Sequence, residues 1–133
     1  MRAVVALYAP YDLEQGYRDL PTPDPIDVRG ALRGFIGGTP SDQAGRYRAA
    51  SPASFVRAGV PPTLLMYGGS DHVVKPDFNR QAAAALRAAR VQVVQVELPW
   101  AEHGFDMAPG GVGAQLAYGT ITDFLSRELG GTR

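Results

Sequence analysis

The stretch "PPTLLMYGGSDHVV" at residues 61–74 decides the fold class of this chain. Its segment 63–67 is apolar at consecutive positions and lies between Pro and Gly, which is typical of a short strand covered on both faces. Residues 2–9, "RAVVALYA", share this pattern, and residues 92–98, "QVVQVEL", form a third short β-branched segment. We therefore predict three strands of a parallel sheet.

Two helices are predicted after the second and third strands. Residues 76–90 repeat apolar side chains at helical spacing, and Pro76 and Asp77 suit the first turn of a helix. Residues 111–129 place apolar side chains on one stripe of a longer helix. Strand, helix, strand and helix in this order predict a parallel α/β arrangement.

Residues 10–62 differ from the rest of the chain. They contain most of the 11 prolines and separate the first two strands by more than 40 residues, which is longer than an ordinary crossover connection. We predict two short helices within them, at 25–36 and 41–50. A long excursion at the carboxyl end of a parallel strand is typical of a lid or a binding wall.

Composition excludes several classes of function. Thirteen basic side chains are balanced by 13 acidic ones, whereas a nucleic-acid partner requires clustered basic charge. The absence of cysteine excludes disulfides, thiol nucleophiles and zinc–thiolate sites. No apolar run approaches the roughly 18 residues of a membrane helix, and the opening "MRAVVALYAP" is interpreted as a strand rather than a signal peptide. We therefore expect a cytoplasmic protein with no nucleic-acid or membrane partner and no metal or other cofactor.

An acid and a base follow two of the predicted strands. Asp71 comes directly after the second strand, where Gly68 and Gly69 permit a tight turn, and His103 follows the third strand. Because parallel strands end at the same edge of a sheet, we expect the two side chains to meet. A carboxylate that accepts from one imidazole nitrogen leaves the other nitrogen free to act as a base. The alternatives are a capping Asp and an ordinary loop His.

Five segments together resemble a known family. They are "VVALYAPYDL" at 4–13, "ASPASFV" at 50–56, "PPTLLMYGGSDHVV" at 61–74, "AEHGFD" at 101–106 and "QLAYGTITDFL" at 115–125. In this order the chain resembles the C-terminal half of an α/β-hydrolase of the esterase/lipase group, which includes feruloyl- and acetylxylan-esterase-like enzymes. The resemblance implies a three-layer parallel sheet of which the chain holds the last three strands. It also implies a small ester substrate and a Ser-His-Asp triad to which Asp71 and His103 belong.

The nucleophile that this resemblance requires is not found in the chain. The family places it in a G-x-S-x-G elbow, yet none of the five serines has glycine on both sides at the required spacing. Ser70, in "GGSDH", has His72 where the second glycine belongs, and an imidazole would clash there. An upstream "HGGG"-like oxyanion loop is absent as well. The resemblance therefore implies that these residues alone are inactive as an esterase.

Other side chains near the strand ends have weaker claims to a role in the site. Asp12, after the first strand, is a second candidate acid, with a turn or cap as the alternative. Trp100 and Phe105 flank the histidine and are candidate substrate-binding residues, although core packing is the alternative for at least one aromatic there. His72 is interpreted as an exposed turn residue.

The resemblance also implies an incomplete assembly. Residues 1–133 would be one partial domain, divided into a strand at 1–9, a lid-like excursion at 10–62, and the strand–helix–strand–helix segment at 63–133. Without its family neighbour, the strand at 2–9 would present a bare apolar sheet edge, and such edges bind partners. We expect a homo-oligomer, or complementation by an N-terminal half through this strand. Two alternatives remain: a non-catalytic oligomerising or binding remnant, and part of a prolyl-oligopeptidase-like serine peptidase.

Overall fold

The computed structural model of the protein describes residues 1–20, 23–24 and 26–130. The strands are β1 (Val4–Leu7), β2 (Thr63–Gly68) and β3 (Val93–Leu98). The helices are α1 (Leu13–Arg18), α2 (Val28–Ile36), α3 (Pro40–Ala50), α4 (Pro76–Ala88) and α5 (Val112–Leu129), with a short 3-10 helix at Pro52–Phe55. None of the helices in these ranges combines the length and apolar character needed to cross a bilayer.

The three strands form one parallel sheet in the order β1-β2-β3. In this register Leu64 of β2 lies opposite Val5 on one side and Val94 on the other. Every residue of the central strand is buried, as its unbroken apolar sequence predicts, whereas β1 and β3 are only partly buried. The predicted parallel α/β fold class is confirmed.

Neighbouring side chains of β2 point to opposite layers of the fold. Leu65 packs with Ala83 and Leu86 of α4, whereas Met66 packs with Ala117 of α5. This division follows from the alternation of side chains along a strand. The sheet therefore lies between α4 on one face and α5 on the other.

Residues with left-handed backbone shorten two predicted elements. The strand predicted at 2–9 ends at Leu7 because Tyr8 has φ 38°, which is outside the extended region. The helix predicted at 76–90 ends at Ala88, and Arg90 has φ 62°. The turn at Tyr8 depends on a hydrogen bond from its amide to the carbonyl of Met66 in β2, so the strand pattern in the sequence does not reveal it. The turn at Arg90 is local, because its amide donates to the carbonyl of Arg87 in α4 itself.

The excursion has a small core of its own. Leu13, Ile36 and Tyr47, from three different helices, form a separate buried cluster. The helices predicted at 25–36 and 41–50 correspond to α2 and α3, although residue 25 itself lies outside the described residues. Helix α1 is not predicted from the sequence, because six residues are too few to display a helical repeat. The role of this segment as a lid stays a prediction.

Candidate active site

The loops that follow β2 and β3 lie against each other at the carboxyl edge of the sheet. A side chain at Gly68 would overlap the backbone of Ala101, and one at Gly69 would press on the backbone of Pro99. The amide of Ser70 donates to the carbonyl of Ala101 at 3.1 Å. The two glycines are therefore required by the close approach of the two loops.

This approach brings Asp71 and His103 together, as the sequence predicts. Although the residues are 32 positions apart, Asp71 Oδ2 lies 2.9 Å from His103 Nδ1. The other carboxylate oxygen accepts from the amides of Val73 at 2.7 Å and Val74 at 2.8 Å. The Asp71 side chain is fully buried, and these three hydrogen bonds offset the loss of its hydration.

The arrangement assigns the tautomer of the histidine. Because a carboxylate only accepts hydrogen bonds, the proton of the neutral imidazole is on Nδ1 of His103, and Nε2 is left as an acceptor. About 29% of the His103 side chain remains exposed, so a reactant can approach it. A partly exposed imidazole held by a buried carboxylate has the chemistry of a general base.

Two residues beside the histidine were not predicted as part of the site. The Tyr8 ring lies 4.3 Å from the His103 ring, between centroids, and the Tyr8 hydroxyl donates to Asp106 Oδ1 at 2.9 Å. Burial, followed by this hydrogen bond to Asp106, raises the pKa of the Tyr8 hydroxyl. The available signal was the position of Tyr8 at the carboxyl end of a parallel strand, the same edge that carries the acid and the base.

A second histidine–carboxylate pair stands directly beside the first. His72 Nδ1 lies 2.7 Å from Glu102 Oε1, and these residues adjoin Asp71 and His103 in the sequence. The hydrogen bond to Glu102 is the main reason that the pKa of His72 is raised, and the same bond lowers the pKa of Glu102. Both side chains are largely exposed, as the turn interpretation of His72 predicts.

The remaining candidates are placed as follows. Phe105 packs on the cluster that contains Met66 and against the Tyr8 ring, so core packing accounts for its position. Trp100 is 58% exposed in the same loop. The substrate-binding roles of Trp100 and Phe105 stay predictions. Asp12 caps α1, accepting from the amides of residues 14 and 15 at 2.9 and 3.0 Å, which is its alternative interpretation.

The serine hydroxyls that form hydrogen bonds donate to backbone carbonyls rather than to His103. Ser70 Oγ donates to the carbonyl of Pro99 at 3.0 Å, and Ser51 Oγ donates to the carbonyl of Tyr47 at 2.7 Å. In the part of the chain that the structure describes, no three His, Asp or Glu side chains gather into a group that could hold a metal ion.

Sequence comparison finds relatives that are named as esterases. Residues 1–86 match the BD-FAE family. The chain is 38% identical over 85 residues to Esterase LipQ and 36% identical over 110 residues to Esterase LipC, both from Mycobacterium tuberculosis. These matches cover 63% and 81% of this chain, but 20% and 26% of the relatives. The chain therefore spans about a quarter or less of their length.

Solved structures with a similar fold are also much longer. The thermophilic esterase Est2 of the Planctomycetes species Thermogutta terrifontis is 25% identical, with a TM-score of 0.69 over 95% of this chain and 42% of its own. An acylaminoacyl peptidase of Pyrococcus horikoshii has a TM-score of 0.82 at 16% identity, over 100% of this chain and 21% of its own. At that identity the peptidase shows a shared fold alone.

Proposed function

Because the chain belongs to the BD-FAE family of esterase-type α/β-hydrolases, we propose that it is the C-terminal portion of a serine carboxylic-ester hydrolase. Asp71 and His103 would be the acid and the base of a Ser-His-Asp triad. The observation that carries this proposal is the 2.9 Å contact between Asp71 Oδ2 and His103 Nδ1 at the carboxyl edge of the sheet. A small carboxylic ester is the proposed substrate.

In the proposed reaction, His103 transfers protons between the serine and the leaving group. Its Nε2 takes the proton of the serine hydroxyl as that oxygen bonds to the ester carbonyl carbon. The same nitrogen then gives the proton to the alcohol oxygen as the ester C–O bond breaks, and water repeats the sequence to release the acid. Asp71 holds the productive tautomer and stabilises the imidazolium that forms between the two transfers.

The serine would come from outside residues 1–133. The sequence contains no G-x-S-x-G elbow, and the hydroxyl of Ser70 is directed to Pro99 rather than to His103. We propose that these residues alone hydrolyse esters at background rates. Triad geometry without its nucleophile has little catalytic power, because the members of a triad act as a unit.

The sheet edge at β1 is the proposed attachment point for the part that carries the serine. Among the described residues, no strand pairs with the outer side of β1. Beside it, an apolar cleft of about 260 Å³ runs between β1, the 3-10 helix and α4. Asn79 lines this cleft, and its buried Nδ2 has no hydrogen-bond partner among the described residues. An unpaired strand edge, an apolar cleft and an orphan donor support docking of another polypeptide.

The test compares the chain alone with a complemented enzyme. Purified chain is assayed with p-nitrophenyl acetate, and its mass in solution is recorded by light scattering. The chain is then co-expressed with the N-terminal portion of a family relative that carries a G-x-S-x-G elbow. We expect background turnover alone and clear turnover in the complex. His103→Ala should abolish the turnover of the complex, whereas the matched control His72→Ala should retain it.

Three outcomes would contradict the proposal. Turnover by the chain alone that disappears in Ser70→Ala would make Ser70 a nucleophile. A stable homo-oligomer that binds no N-terminal portion would favour a non-catalytic oligomerising module. Turnover of the complex that survives His103→Ala would remove His103 from the reaction.

A further inference from the structure

Tyr8 has an unusual backbone conformation at the edge of the candidate site. With φ 38°, it lies in the left-handed region that residues other than glycine rarely adopt. Its amide donates to the carbonyl of Met66 at 2.7 Å, which holds this conformation against β2. Backbone strain of this kind persists where the surrounding structure enforces it, and it is concentrated at functional sites.

The strained turn directs the tyrosine side chain into the loop that carries the histidine. The ring lies 4.3 Å from the His103 ring, tilted by 57°, and meets Phe105 edge-on at 5.5 Å. Its hydroxyl reaches Asp106 Oδ1 at 2.9 Å. Gly104, with φ 72°, turns the loop so that His103 and Asp106 both face the same tyrosine.

The hydrogen bond to Asp71 does not by itself fix the orientation of the His103 ring. A single hydrogen bond at Nδ1 selects the tautomer, but the ring can still swing about that contact. An aromatic ring packed against the imidazole, as Tyr8 is at 4.3 Å between centroids, restricts this motion. The bond between Tyr8 and Asp106 in turn holds the loop, and a hydroxyl donating to a carboxylate makes one of the stronger hydrogen bonds in proteins. The ordinary pKa of a tyrosine hydroxyl lies well above neutral, and burial and Asp106 raise that of Tyr8 further, so the hydroxyl is a donor at neutral pH.

We propose that Tyr8 is a positioning residue for the base. Its ring sets the orientation of the His103 imidazole, and its hydroxyl anchors the histidine loop through Asp106. This role presupposes the proposed function, in which His103 transfers protons. It also couples the edge strand β1, which carries Tyr8 at its end, to the base of the triad.

The test follows the imidazole by NMR and needs no turnover. With 15N-labelled histidine, the Nδ1 proton of His103 and its tautomer are observed directly, and His72 serves as an internal reference because its contacts are with Glu102. Tyr8→Leu removes both the ring and the hydroxyl. We expect the His103 Nδ1 proton to exchange with water about tenfold faster, with both tautomers present, while the His72 signals stay unchanged.

Further variants separate the ring from the hydroxyl. Tyr8→Phe keeps the ring and should show a smaller effect of the same sign, as should Asp106→Ala. Asp106→Asn retains an oxygen acceptor and should restore the signals. Tyr67→Phe is the matched control, because it removes a tyrosine hydroxyl that donates to Glu97 at 3.0 Å and accepts from Gln95, rather than one bonded to Asp106. It should leave His103 unchanged.

The inference and the proposed function fail in different ways. Unchanged His103 signals in Tyr8→Phe and Asp106→Ala, with Tyr8→Leu either unchanged or unfolded, would overturn the positioning role. Altered signals in Tyr8→Leu, restored signals in Asp106→Asn and a silent Tyr67→Phe would support it. An inactive complemented enzyme with these same signals would contradict the proposed function and leave the contact between Tyr8 and His103 established.

Discussion

The carboxyl edge of the sheet and the region beside β1 differ in whether their buried polar groups have hydrogen-bond partners. At the carboxyl edge, the buried carboxylate of Asp71 is bonded to His103 and to two backbone amides. Beside β1, the amide nitrogen of Asn79 is equally buried and has no partner among the described residues. The buried polar group of the first region is therefore fully hydrogen-bonded, whereas that of the second is not, which is the contrast on which the proposed docking at β1 rests.

Only the region beside β1 is expected to lower the free energy of unfolding of the isolated chain. A buried donor without a partner costs about 1–3 kcal/mol, and removing both partners of a hydrogen bond is nearly neutral. Asn79 and the apolar cleft thus lower the stability of the isolated chain. At Asp71, by contrast, three hydrogen bonds satisfy the buried carboxyl group.

The largest expected effect concerns Asp71 in the complemented enzyme. Asp71→Asn retains an acceptor for the amides of residues 73 and 74 but no longer imposes the productive tautomer on His103. We expect the kcat for p-nitrophenyl acetate to fall about 10⁴-fold with the complex still assembled. Glu102→Gln, which alters the exposed neighbouring pair, is the control and should change kcat little. A loss below tenfold would exclude Asp71 from the triad.

The next effect tests the close contact of the two loops. In Gly68→Ala, the added carbon meets the backbone of Ala101, so the loops must separate. We expect a loss of about 2–3 kcal/mol in the free energy of unfolding, measured with urea. Gly119→Ala is the matched control, since that exposed glycine of α5 has no neighbour within 4 Å and the change should stabilise the chain by about 0.5–1 kcal/mol. Equal effects at both glycines would refute the contact.

At the β1 side, Asn79→Leu should act in two opposite directions. It removes the orphan donor and fills part of the cleft, so the isolated chain should gain about 1–2 kcal/mol in the free energy of unfolding. If the N-terminal portion supplies the missing acceptor, the same change should weaken its binding, measured by calorimetry. If Asn79→Leu instead lowers the free energy of unfolding and leaves binding of the N-terminal portion unchanged, then Asn79 is not an unsatisfied donor that a partner completes.

The smallest effect is the pH dependence of the exposed pair of His72 and Glu102. The raised pKa of His72 means that its contribution is complete below the unfolded-state value of 6.5 and is lost as the pH rises through the folded-state value. The lowered pKa of Glu102 means that its contribution is present above 4.5 and is lost as the pH falls through its folded-state value. The pair therefore stabilises the protein mainly between these limits.

His72→Gln measures this contribution. The difference in urea midpoint between the protein and this variant should be larger at about pH 5.5 than at about pH 8.5. High salt should reduce the difference, because both side chains are exposed. A difference that is independent of pH would show that the pair does not titrate as a unit.

The local pattern of the sequence predicts the sheet and much of the site. Consecutive apolar residues at 63–67 predict the buried central strand, and the esterase resemblance is confirmed by the match to the BD-FAE family. The meeting of Asp71 and His103 follows from parallel strands that end at one edge, and the structure brings them to 2.9 Å. Their catalytic roles stay predictions.

The sequence by itself determined the features that neighbouring residues encode. These are the strands, the longer helices, and the absence of a G-x-S-x-G elbow within these 133 residues. Only the tertiary structure decided the strained turn at Tyr8, its hydrogen bond to Asp106 from 98 positions away, and the orphaned amide of Asn79. The physical reason is the distance along the sequence between the residues that interact. Periodicity and propensity act over a few residues, whereas these contacts exist only after the sheet has brought distant loops together.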